Sequence, residues 1–177
     1  LTKPVGTGTL LAADMHGKAK GRWVDGAIRN MLVSNRDGAK VLRSNGVTAC
    51  TDVTGFGLLG HLMEMTKASA IDVSLDLKMI PWLDGACDTA AAGLLSSLQP
   101  QNIRLRRAVA LNNVDTSDPR YLLLFDPQTA GGLLASVRSD RAGTCVAQLR
   151  AAGYSEAAVI GVVEPSSDRA QPITVTG

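Results

Sequence analysis

The sequence predicts an α+β fold, a layered domain organised on a mixed sheet. Three observations carry this. Residues 71–77, Ile-Asp-Val-Ser-Leu-Asp-Leu, alternate with the period of a half-buried strand. Segments with apolar residues at helical spacing alternate with such strands along the chain, as a layered sheet-and-helix domain requires. The chain has 177 residues, which suits a single domain (1–177) able to bury a core without disulfide or metal staples.

The elements follow in order. Residues 1–11 read as an edge strand or extended arm, because Pro4 cannot donate to a ladder. Gly6 and Gly8 there serve either a simple turn or close approach to a ligand. A short helix over 10–15 and a polar loop through Gly21 come next. Residues 24–44 are the most helix-like stretch, with Ile28, Leu32, Ala39 and Leu42 on one stripe and Arg29, Arg36, Lys40 and Arg43 mainly elsewhere. Asn35 lies on the apolar stripe, so it needs a hydrogen-bond partner. An apolar strand over 47–53 leads into a helix ending near Ser69, then the strand 71–77 and an Ala-rich helix over 84–93 with Asp84 as cap. Residues 95–118 are the least periodic part and include Arg104, Arg106 and Arg107, a solvated loop or a phosphate contact. The apolar run 121–125 precedes a glycine turn and a buried strand over 133–137. A helix capped by Ser139 or Asp140 follows, and strands at 157–163 and 172–175 close the chain as a hairpin across an exposed polar link, 165–171.

Composition narrows the function. With 45% hydrophobic and 19% charged residues the chain reads as a soluble globular protein. Aromatics make up only 3%, too few for a platform on which single-stranded bases stack. A net charge of +2 implies neither a nucleic-acid nor a membrane partner. No apolar run approaches the ~20 residues of a membrane span. Cys50, Cys87 and Cys145 form no Cys-x-x-Cys pair, which points to reduced, buried thiols and a cytoplasmic location, with Cys50 in the core. A chain that starts at Leu1, in a segment already reading as strand, is expected to be a piece of a longer polypeptide.

Chemistry concentrates at 51–61, Thr-Asp-Val-Thr-Gly-Phe-Gly-Leu-Leu-Gly-His. A strand that breaks at Thr54-Gly55 and passes into a helix start leaves unpaired backbone N–H groups, which favour phosphate. Asp52 at the strand end suits a cation. Together they suggest a metal–nucleotide junction, set against the plainer reading that Asp52 is a helix cap. His61 and Glu64 share a helix face as a local hydrogen bond, and the two-histidine zinc pattern is absent.

The stretch 51–61 resembles the hallmark of the C-terminal half of selenophosphate synthetase (selenide, water dikinase). Asp126-Pro127-Gln128-Thr129-Ala130-Gly131-Gly132-Leu133-Leu134 is similar to the second C-terminal hallmark of that family. Lys3-Pro4-Val5-Gly6-Thr7-Gly8 resembles the segment that opens this half, and 35–39 sits where the family has an Asn-containing helix. These stretches are in family order and span essentially the whole chain.

The resemblance implies a fold like the C-terminal domain of aminoimidazole ribonucleotide synthetase-like proteins. It implies ATP-dependent formation of selenophosphate from selenide and water, with release of AMP and phosphate. It also implies that the reactive Cys or selenocysteine, the essential Lys and most of the ATP site lie in an N-terminal domain absent from this chain. On that basis no catalytic residue is expected here and the isolated chain is expected to be inactive. Asp52 would be a Mg²⁺ ligand, since Mg²⁺ takes a few carboxylates and phosphate oxygens. Thr51, Thr54, Gly55 and Asn102 would face the ATP phosphates. The implied partners are the N-terminal domain, selenide, ATP and a second copy in a full-length homodimer. Two positions depart from the family pattern: Ala130 stands where Ser is common, and 96–102 replaces a Gly-rich loop of which only Asn102 survives. Two alternatives remain: another ATP-dependent synthetase of the wider group, or a non-catalytic interaction module.

Overall fold

The computed structural model describes residues 1–167 and 170–177. It bears out the mixed α+β architecture, with eight α-helices and six strands among the described residues. In chain order the elements are α1 (Thr7–Met15), α2 (Gly21–Leu32), α3 (Asn35–Ser44), β1 (Ala49–Asp52), α4 (Gly57–Ser69), β2 (Ile71–Asp76), α5 (Ala86–Ala91) and α6 (Gln99–Asn102). A 3-10 turn over Ile103–Ala108 leads to β3 (Val109–Asn112), α7 (Pro119–Leu123), β4 (Leu133–Ser136), α8 (Ser139–Ala151), β5 (Gly161–Pro165) and β6 (Ile173–Thr176).

The strands form two sheets. β1 and β4 pair antiparallel, Asp52 opposite Leu133. The other four run in the order β3-β6-β2-β5, with β6 parallel to both β3 and β2, and β5 antiparallel to β2. The main core lies between the larger sheet and α4, whose Leu58, Leu59, Leu62 and Met63 are buried against Val73, Leu75, Ile173 and Val175. A second cluster gathers Leu10, Trp23, Ala27 and Leu123. A third joins Leu42 of α3 to Cys145 and Leu149 of α8.

Several expectations are corrected. The helix 24–44 is two helices, divided at Val33-Ser34. Ser34 takes extended backbone geometry and its side chain accepts from Arg36 N–H, so it caps α3 and ends the run. The closing hairpin does not form, because β2 separates β5 from β6. The aperiodic stretch 95–118 holds a helix, a 3-10 turn and β3, which among the described residues pairs only with the remote β6. Residues 121–125 fall largely in α7, which Asp118 caps by accepting from Arg120 N–H. Gly85 rather than Asp84 precedes α5, and neither Ser139 nor Asp140 caps α8, where the cap position is Arg138. Cys50 is exposed on β1, Cys87 is half-buried and only Cys145 is buried. Of the link 165–171, Pro165 belongs to β5, Ser166 and Ser167 are exposed, and 168 and 169 lie outside the described residues. Among the described residues no helix is long and apolar enough to cross a membrane.

Candidate functional site

The strand–turn–helix stretch adopts the expected geometry. β1 ends at Asp52, and Val53 N–H continues the pairing by donating to Gly132 O at 2.8 Å. The chain turns over 54–56 and enters α4 at Gly57. Gly57 has φ 71°, and a Cβ there would sit 2.8 Å from the Phe125 carbonyl carbon, so both backbone and space require glycine. Val53 and Gly57 are buried, while Asp52, Gly55 and Phe56 are exposed and Thr51 and Thr54 are half-buried. The turn therefore presents one short outward edge.

The Asp52 carboxylate on that edge is exposed, with no hydrogen bond or ion pair among the described residues. Its acidic group is left open to a ligand, whereas a capping role would spend it on a backbone N–H. The Thr51 hydroxyl donates a long 3.3 Å bond to Asp52 O. The Thr54 hydroxyl lies 3.1 Å from His61 Nε2, and Phe56 leans over the same ring with centroids 5.5 Å apart. His61 is buried and its Nδ1 approaches Glu64 at 3.5 Å without a hydrogen bond, which makes the imidazole a support of the turn.

The backbone donors are more committed than the sequence suggests. Gly57 N–H donates to Thr54 O at 3.0 Å and Leu59 N–H to Leu124 O at 3.1 Å. These bonds weaken the anion-binding character of the α4 start and leave the outward face to Asp52, Thr51 and the 54–56 turn. Asn102 stands behind the turn and is buried. Its amide donates to Gly55 O at 2.9 Å and to Phe125 O at 3.0 Å, so it ties the Gly55 turn to Phe125. Thr51, Asp52, Thr54, Gly55 and Asn102 thus come together around one turn, with Asn102 on its inner side. Arg104, Arg106 and Arg107 are all exposed.

The second glycine-bearing stretch is turned inward. Gln128 Oε1 accepts from Gly6 N–H at 3.0 Å, Thr7 N–H at 3.1 Å and the Thr7 hydroxyl at 3.1 Å, so a side-chain carbonyl occupies the N terminus of α1. Gln128 Nε2 donates to Asp126 Oδ2 at 2.8 Å, and the Thr9 hydroxyl donates to Asp126 Oδ1 at 2.8 Å. Asp126 is fully buried, and loss of hydration pushes its carboxyl up to about 6, against the opposing pull of Thr9, Gln128 and the Gly8 N–H.

Lys3 is buried too. It donates to Ala130 O at 3.0 Å and, by a short contact, to Val33 O, and burial lowers its pKa. Asn35 finds the partner its position demands, donating to Gly131 O at 2.9 Å. The Thr2 hydroxyl accepts from Leu133 N–H at 2.8 Å. Segments 2–9, 35, 53–57 and 126–133 are therefore tied into one polar knot behind the exposed turn. Sequence reasoning missed the inward roles of Lys3, Asp126 and Gln128. The available signal for Asp126 and Gln128 was polar residues directly after the apolar run 121–125.

Residues 2–171 match the family described as AIR synthase related protein, C-terminal domain. The chain belongs to that family. Among curated relatives, the selenide, water dikinase of Pelobacter propionicus is 41% identical over 170 residues, covering 96% of this chain and 49% of the relative. That of Clostridioides difficile is 33% identical over 171 residues, with the same two coverages, 96% and 49%. The chain spans about half the length of these relatives. Among solved structures, E. coli HypE superposes with a TM-score of 0.63 at 17% identity, over 99% of this chain and 45% of that one. Aquifex aeolicus thiamine monophosphate kinase gives a TM-score of 0.56 at 13% identity, over 98% and 47%. These two likenesses show the fold. They agree with the expected similarity to C-terminal domains of the aminoimidazole ribonucleotide synthetase group.

Proposed function

We propose that this chain is the C-terminal part of a selenophosphate synthetase, acting with an N-terminal domain that supplies most of the ATP site and the reactive residues. The reading rests on the names of relatives 33–41% identical over 96% of the chain. The observation that carries the site is the unpartnered, exposed Asp52 carboxylate at the end of β1, beside an outward turn. A hard divalent cation suits such a carboxylate, and Mg²⁺ takes one or two carboxylates with phosphate oxygens rather than a full protein cage. No three His, Cys, Asp or Glu residues come together among the described residues, so Asp52 would be one ligand of a set completed elsewhere.

In this reading Asp52 holds Mg²⁺ against the ATP phosphates, and Mg²⁺ neutralises charge in phosphoryl transfer. Thr51, Thr54 and the Gly55 backbone line the phosphate side, and Asn102 serves that side by holding Gly55. A solved HypE in complex with ATP, at TM-score 0.60 and 16% identity, fits nucleotide binding by this fold. The full-length protein would work as a cytoplasmic homodimer on selenide and ATP, and this chain alone would be inactive.

The test is Asp52→Asn in the full-length protein, with selenide-dependent AMP formation as the readout and circular dichroism as the fold control. AMP formation should fall at least tenfold, about 1.4 kcal/mol of barrier, with an unchanged spectrum. A wild-type rate would remove Asp52 from the metal site.

A further inference from the structure

The buried imidazole of His61 stands between two oxygen groups of unlike kind. Its Nε2 lies 3.1 Å from the Thr54 hydroxyl, and its Nδ1 lies 3.5 Å from the carboxylate of Glu64, three residues further along α4. The His61 side chain is 8% exposed and that of Glu64 is 64% exposed. Nδ1 is buried and makes no hydrogen bond among the described residues. In a ring shielded from water, a carboxylate at that distance draws an N–H and repels a lone pair. A neutral imidazole carries one proton, and what one nitrogen faces decides the role of the other. Glu64 therefore selects the ring with Nδ1 protonated. Nε2 is then the acceptor, and the Thr54 hydroxyl donates to it.

Thr54 is held in this arrangement by its backbone. Its carbonyl accepts from Gly57 N–H at 3.0 Å and from Gln128 N–H at 2.9 Å. Phe56 leans over the imidazole, with ring centroids 5.5 Å apart. A hydroxyl has one hydrogen and two lone pairs. With the hydrogen spent inward on Nε2, Thr54 Oγ1 offers only lone pairs to the half of the residue that reaches the outward edge. Lone pairs meet a cation or a donor, and they repel an unprotonated phosphate oxygen. The opposite tautomer would free the hydroxyl hydrogen for phosphate.

We propose that His61, set by Glu64, is a positioning residue that turns Thr54 into a cation-facing oxygen. Thr54 Oγ1 joins Asp52 in facing Mg²⁺, or water bound to it, while the phosphate oxygens fall to Thr51 and the Gly55 backbone. A hard cation takes a neutral oxygen beside a carboxylate. The proposal rests on the reading of this turn as a metal–phosphate edge and narrows it. His61 acts only through the direction of one hydroxyl, and it exchanges no proton with substrate.

The test compares this chain with its Glu64→Met variant by ¹⁵N NMR of the ring nitrogens at alkaline pH, with neither metal nor nucleotide present. The chain has two histidines and His16 is exposed, so the two rings are readily told apart. The wild type should show Nδ1 protonated and Nε2 as acceptor, and Glu64→Met should raise the Nε2-protonated share at least threefold. In the full-length protein at saturating ATP, the same variant should raise the Mg²⁺ concentration for half-maximal AMP formation at least threefold. Its ATP half-saturation and melting point should stay close to wild type. Nε2 protonated in the wild type, or one tautomer in both proteins, would overturn the role of the Glu64–His61 pair. A switched tautomer with an unchanged Mg²⁺ requirement, or with ATP half-saturation moving in its place, would overturn the cation-facing role of Thr54. The NMR result is independent of the Asp52→Asn result, so failure of the metal reading and failure of the tautomer are told apart.

Discussion

Asp126 should make the protein less stable as pH rises from acid to neutral, the reverse of an ordinary paired carboxylate. The group is fully buried, its partners are Thr9, Gln128 and the Gly8 backbone, and no cation is among them. Its folded pKa is about 6 against 3.8 for the free side chain. Between those values the native state binds more protons than the unfolded chain, so unfolding free energy falls with rising pH. The stabilising contribution is complete below the unfolded pKa and is gone above the folded one. A displacement of about two pKa units corresponds to roughly 3 kcal/mol.

The assay is urea denaturation from about pH 4 to about pH 7 of the wild type and Asp126→Asn, compared at each pH. Asn keeps an acceptor for Thr9 but turns an N–H toward Gln128 Nε2. That cost is independent of pH and cancels when the two proteins are compared across the range, as do all other titrating groups. Wild-type stability relative to the variant should drop by roughly 2 kcal/mol over the window, because part of the full difference already lies below about pH 4. A flat difference, or one that rises with pH, would refute the buried, cation-free account of Asp126.

Two further outcomes follow from the turn. Gly57→Ala places a side chain at φ 71°, 2.8 Å from the Phe125 carbonyl carbon; the left-handed backbone alone costs ~1–2 kcal/mol, and calorimetry should show a melting point lower by at least several degrees. Asn102→Ala leaves Gly55 O and Phe125 O without their donor; a loss of ~1–3 kcal/mol in chemical denaturation is expected. In the full-length protein Asn102→Ala should also weaken ATP binding through the displaced turn, while unchanged affinity would confine Asn102 to stability.

The parts of this fold that were legible in the sequence are those written in local pattern. The spacing of Leu58, Leu59 and Leu62 places α4, and the alternation in 71–77 places β2, because one buried face imposes each period. Long-range pairing was not legible. β5 and β6 are neighbours in sequence, and a hairpin is the default for neighbours, yet β6 gains two parallel partners by lying between β2 and β3. β3 was hidden because only Val109 of its four residues is buried, so it shows no alternation. A free cysteine in a strand pattern ordinarily behaves as a small buried hydrophobe, but β1 belongs to a two-stranded sheet whose Cys50 and Asp52 side is open. The clustering of the candidate site was legible through the 51–61 motif. Asn102, 47 residues from Gly55, was reached through the family resemblance alone, and its inward geometry through the structure.

The polar knot behind the turn bears on how any collection of inactive variants would be interpreted. Lys3, Asn35, Asp126 and Gln128 bond to backbone or to one another inside the domain. Substitutions there would abolish activity as surely as the loss of a ligand contact, by letting the turn drift. Plotted on the sequence, such a set would draw a broad footprint over 3–9, 35 and 126–132, far larger than the edge proposed to meet ligand. Counting only the inactive variants that melt like the wild type would shrink that footprint toward Asp52 and its immediate neighbours.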